Sequence, residues 1–105
     1  MITSSESVIC RKAVETFGVD IQQIVAMEEL GELIQAISKI ARWECSQSED
    51  LETLSEYIDN LAEEIADVEI MLEQLKYIHN CPIEVELWKA RKLDKLKIMV
   101  EGVRV

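Results

Sequence analysis

The stretch Met27-Glu28-Glu29-Leu30-Gly31-Glu32-Leu33-Ile34-Gln35-Ala36-Ile37-Ser38-Lys39 decides the fold, because it carries helical apolar spacing and three carboxylates at once. At about 100° per residue, Ala26, Leu30, Leu33, Ile37, Ile40 and Ala41 gather in one stripe, wide enough to seat a helix on a core. Glu28, Glu32, Gln35, Lys39 and Arg42 gather opposite. Glu29 falls on the shoulder of the stripe, a position that faces a seam between helices rather than bulk water.

A second stretch, Leu61-Ala62-Glu63-Glu64-Ile65-Ala66-Asp67-Val68, answers the first. Here Leu54, Leu61, Ile65, Val68, Leu72 and Leu75 form the stripe, and Glu64 borders it as Glu29 borders its own. Each helix therefore offers an i,i+3 carboxylate pair, Glu29/Glu32 and Glu64/Asp67, projecting from neighbouring turns of one face. A single pair of this kind is ordinarily a solvated acidic face. Two pairs at stripe edges, packed face to face, would crowd four negative charges, which is tolerable when a divalent cation sits between them. Oxygen ligands at that density suit Mg²⁺, with Mn²⁺ possible. The sequence alone leaves open a metal site or two solvated faces.

The remaining segments read as further helices. Thr3-x-x-Glu6 is a capping box opening a first helix, seated by Ile9, Ala13 and Phe17 and stopped by Gly18. Asp20-x-x-Gln23 reads as the cap of the long acidic helix, which runs to about Trp43 or Glu44. The polar run Cys45–Asp50 is a loop. A third helix extends to Tyr77, with a bend expected at the poor helix formers Asp59-Asn60. Asn80-Cys81-Pro82 forces a turn into a last helix reaching about Val100, in which Val85, Trp88, Leu96 and Met99 share a side with Lys92. His79 has no second histidine or Glu-x-x-His near it, which argues against a di-iron bundle or a nucleophile–histidine pair.

Composition agrees with this reading. A hydrophobic fraction of 49% with only 5% aromatic residues, 3 Gly and 1 Pro favours helices over a sheet. The 105 residues allow one domain, residues 1–105, with a core that is marginal for an isolated monomer. Ile21, Ile24 and Val25 lie outside the main stripe and need cover, so an oligomer is expected. A net charge of −10 argues against nucleic acid or an anionic membrane as the main partner. No apolar run is long enough to span a bilayer, and no secretory leader is visible, so a cytoplasmic protein is expected. Cys10, Cys45 and Cys81 lack paired spacing and read as reduced thiols.

Glu28-Glu29-x-x-Glu32 followed by Glu64-x-x-Asp67 resembles the signature of the all-α nucleoside triphosphate pyrophosphohydrolases, and EELGELIQAISK with LAEEIADVEIMLEQL is similar to the MazG-like branch. The resemblance spans approximately residues 20–98. It implies a four-to-five-helix bundle assembled as a homodimer or dimer of dimers. It also implies Mg²⁺-dependent cleavage of a nucleoside triphosphate to the monophosphate and pyrophosphate. By the same resemblance, Lys92 and Lys95 of the basic last helix approach the phosphates.

On that reading Glu29, Glu32, Glu64 and Asp67 hold the metal, which lowers the pKa of a bound water. Glu28, beside them, orients a ligand or accepts the water's proton. Lys39 shares the face of Glu28 and Glu32 and is a further phosphate candidate, or an ion-pairing residue. Trp43 lies about 16 Å along the helix, the reach from a triphosphate to its base, so it either stacks there or packs as a core aromatic. Phosphoribosyl-ATP hydrolysis is an alternative, and so is a non-enzymatic acidic interaction module.

Overall fold

The computed structural model describes residues 3–103, and among them every regular element is a helix: α1 (Ser4–Phe17), α2 (Val19–Cys45), α3 (Leu51–Ile78) and α4 (Pro82–Glu101). The expected all-α architecture is observed, with four helices. α2 and α3 are the long pair at its centre. Gln22 meets Gln74 near one end, and Glu32 meets Glu64 nearer the loop, so the two helices run antiparallel. α1 packs across α3 and the start of α2, whereas α4 touches α3 alone.

α1 begins as its sequence dictates. The Thr3 side chain accepts from the Glu6 N–H while the Glu6 carboxylate accepts from the Thr3 N–H, closing the capping box. Its seating differs from expectation. Cys10 and Val14 are buried, whereas Ile9 and Phe17 are 67% and 62% exposed. α1 lies along the flank of α3 where Ser7 donates to Glu73 and the Cys10 thiol to the Ile70 carbonyl. Those contacts select the face holding Cys10 and Val14, about 100° from Ile9.

Gly18 ends α1 and also precedes the first residue of α2, at φ 94°. That left-handed value is open to glycine and strained for other residues. The cap expected at Asp20 is therefore corrected: α2 already starts at Val19, and Asp20 sits in its first turn, where a negative charge still favours the helix dipole.

At the other end Ser46 Oγ donates to the Trp43 carbonyl, Gln47 takes a left-handed φ of 60°, and Asp50 caps α3 through the Thr53 N–H. α3 continues as helix through Asp59-Asn60, where a bend was expected. Asn60 directs its amide to Glu64 one turn on, rather than interrupting the backbone.

The buried faces are rotated from the sequence stripes. α2 turns Gln22, Ala26 and Ala36 inward, and α3 turns Glu64, Val68, Met71 and Gln74 inward. Leu30 and Ile37 of the α2 stripe, and Ile65 and Leu72 of the α3 stripe, remain exposed. The reason is that each helix has more apolar surface than one neighbour can cover. The small Ala26 and Ala36 allow close approach at the α2/α3 seam, and the bulky residues are left beside it. Within the seam, Gln22 Nε2 donates to Gln74 Oε1 at 2.6 Å with both amides buried.

α4 starts with Pro82 in its first turn after Asn80, which has a left-handed φ of 49°. It buries none of its residues. His79 caps the end of α3 and bonds to Gln23 at 2.8 Å. All three cysteines are free. No helix among the described residues is long and apolar enough to cross a membrane.

Candidate metal centre

The antiparallel pairing of α2 and α3 places Glu29 and Glu32 against Glu64 and Asp67. One carboxylate oxygen from each of the four lies within 4.8 Å of the others. This is the set that the i,i+3 spacings single out. It needed a tertiary contact to form, because the helices must also align along their length for Glu29 to reach Asp67 and Glu32 to reach Glu64.

The cluster is embedded in the seam. Glu64 is only 7% exposed, Glu29 and Asp67 are half-buried, and Glu32 opens to solvent. Burial disfavours a charged carboxylate, and like charges nearby disfavour it further. Accordingly Glu29 is pushed up to about 7, first by burial and then by the negative charges of Glu32 and Asp67. Glu64 is also displaced upward, by burial first and by Glu32 next. No lysine or arginine offsets either shift.

Two oxygens set this cluster apart from a solvated acidic face. Glu29 Oε2 and Glu64 Oε2 are both buried and have no hydrogen-bond partner. Buried carboxylate oxygens are normally satisfied, since leaving one bare costs a desolvation penalty of about 1–3 kcal/mol or more. A hard divalent cation among four such oxygens would supply the missing partner and oppose the crowded charge, so the donor set fits Mg²⁺ or Mn²⁺.

Asn60 belongs to this site although its sequence pattern marked only a poor helix former. Its Nδ2 donates to Glu64 Oε1 at 3.5 Å, holding the carboxylate from the preceding turn. The readable signal was the i,i+4 spacing of an amide before a glutamate.

The other expected residues lie outside the cluster. Glu28 is exposed on the α2 flank next to Glu29 and is not among the four converging groups. Lys39 is exposed two turns further along α2. Trp43 is half-buried near the loop, and its indole N–H is buried without a partner. Lys92 and Lys95 are exposed on α4; Lys92 lies over the Trp88 ring at 5.8 Å.

No family model, no curated protein and no solved structure matches the chain.

Proposed function

We propose that the chain is a Mg²⁺-dependent nucleotide pyrophosphohydrolase, splitting a nucleoside triphosphate into the monophosphate and pyrophosphate. The observation that carries the reading is the convergence of Glu29, Glu32, Glu64 and Asp67 with two buried carboxylate oxygens left unpartnered. The resemblance of the two glutamate-rich segments to MazG-like proteins supplies the reaction class.

A divalent cation held by these residues would neutralise phosphate charge and acidify a water molecule. The protein's own contribution is arrangement. Glu64, buried in the α2/α3 seam with the Asn60 amide 3.5 Å from its Oε1, would offer its carboxylate from a largely desolvated position, where charge acts more strongly than in water. Glu32, the most open of the four, is the edge from which a triphosphate would approach. Glu28 stands on that same flank and is proposed to take a proton from an attacking water. Lys39 and Trp43, further along α2, are proposed to meet the rest of the nucleotide.

The test is pyrophosphate release from a panel of nucleoside triphosphates, with Mg²⁺ or with chelator, for wild type, Glu64→Gln and the surface control Glu56→Gln. We expect Mg²⁺-dependent release that Glu64→Gln lowers at least 100-fold and Glu56→Gln leaves intact. Full activity in Glu64→Gln would overturn the site. Absence of release from every nucleotide, phosphoribosyl-ATP included, would favour a binding module.

A further inference from the structure

We infer that the groove between the end of α3 and the start of α4 is a ligand site for a small amphiphilic anion, an aliphatic chain of medium length ending in a carboxylate. The inference is independent of the pyrophosphohydrolase reading, since the groove shares no residue with the four clustered carboxylates.

The groove follows from the turn between the two helices. Asn80 takes a left-handed φ of 49° and Pro82 opens α4 directly after Cys81, so Leu72 and Lys89, each about two turns from the hinge, line one concavity. Its volume is about 410 Å³, within the range of small-molecule sites. The lining runs along α3 from Leu72 to His79, about 10 Å of helix axis, which suits a medium-length acyl chain and is short for a helix laid lengthwise.

The floor selects the body of the ligand. Leu72, Leu75 and Val85 supply aliphatic surface, and no aromatic ring among the described residues lines the groove. A nucleobase would find no ring to stack on, whereas methylene groups gain by leaving water against such side chains. Leu72 is 46% exposed, so this surface is bare within the chain.

Charge selects the other end. The chain carries 21 Asp and Glu against 11 Lys and Arg, yet no carboxylate among the described residues lines the groove, while Lys76, His79 and Lys89 do. The carboxylates that meet the two lysines stand outside it: Glu73 lies 3.0 Å from Lys76 and also accepts from Ser7 of α1, and Glu86 lies 3.4 Å from Lys89. An ammonium has three N–H donors, so each lysine can meet a further carboxylate. The Lys89–Glu86 pair is more than half exposed on both sides, and pairs of that kind hold their members weakly. Lysine stems lie along apolar surface with the charge at its edge. An aliphatic floor bordered by cations is the complement of a fatty carboxylate.

Cys81 supplies the readout, because its thiol is free, half-buried and part of the groove wall. The full chain is alkylated with iodoacetamide, with and without octanoate, and each cysteine is followed by peptide mass spectrometry. Octanoate should slow alkylation of Cys81 at least fivefold and leave the exposed Cys45 unchanged. 1-Octanol at the same concentration has the same chain without the charge and should slow Cys81 less than twofold. Lys89→Glu, at an exposed position, should raise the half-protecting octanoate concentration at least tenfold, and Lys97→Glu, outside the groove, should not. No protection by octanoate, equal protection by octanol, or protection that Lys89→Glu leaves intact overturns the assignment. So does protection by a nucleoside monophosphate without protection by octanoate. A Cys81 that is shielded with no ligand added and becomes reactive on dilution would mean that another copy of the chain fills the groove, which overturns it as well.

Discussion

Glu29 and Glu64 hold charge where the fold gives little to balance it, and this has a signed consequence for stability. Without metal, the folded pKa of Glu29 is about 7, above its ordinary value of 4.5. The native state therefore binds the proton more tightly than the unfolded chain, and the associated stability is fully present below about pH 4.5 and lost as pH rises toward 7. In chelator, the melting temperature should fall across that window, and Mg²⁺ at neutral pH should restore it by binding the native state alone. Glu64→Gln should melt no lower than wild type in chelator, through relief of repulsion, and gain less from Mg²⁺. A wild-type melting temperature flat from pH 4.5 to 7 in chelator would contradict the linkage. The four carboxylates were legible in the sequence because i,i+3 spacing and stripe-edge angles are local properties. The unpartnered state of Glu29 Oε2 and Glu64 Oε2 was not, because it depends on what the opposite helix fails to provide.

Two glycines at the helical elements make opposite predictions. Gly18 holds a φ of 94° between α1 and α2. Gly18→Ala should cost about 1 kcal/mol or more, because an L side chain is strained there. Gly31 lies inside α2 with open space where a Cβ would stand. Gly31→Ala should stabilise by about 0.5–1 kcal/mol through helix propensity. Urea unfolding midpoints would show both signs, and a stabilised Gly18→Ala would refute the first. At this level the sequence spoke clearly about existence and less so about faces. Thr3-x-x-Glu6 is a complete local signal and yields a capping box. Asp20-x-x-Gln23 has the form of one, but Gly18 permits the chain to re-enter helix immediately, so that pattern is absorbed into the first turn. The stripes of α2 and α3 were read at their apolar centres, whereas packing chose the side with alanines and buried amides.

For the molecule as a whole, α4 is the element whose place could not be read from periodicity. Its pattern is amphipathic, yet within one chain its apolar face meets little. If the expected oligomer forms through that face, melting should depend on protein concentration, and Leu96→Glu should abolish that dependence. Raising salt should weaken association by screening the basic helix against the acidic body, leaving the apolar part. A melting temperature constant across a hundredfold dilution would argue against any such association.

The buried Gln22–Gln74 hydrogen bond has a consequence for uniqueness. Leu54, Leu61, Val68 and Leu75 recur on the covered side of α3 every seven residues, a ladder that looks much the same after a shift of seven. Apolar matching alone is therefore degenerate: α2 could settle at several alignments of comparable energy. A slipped alignment would strand two amides in an apolar seam, so the pair acts as a key that penalises every alignment but one. Gln22→Leu paired with Gln74→Leu should match or exceed wild type in thermal stability while broadening its amide spectra and weakening Mg²⁺ binding, since the four carboxylates meet in only one alignment. Sharp spectra with undiminished Mg²⁺ affinity in that variant would show that the glutamines are not what selects the native pairing.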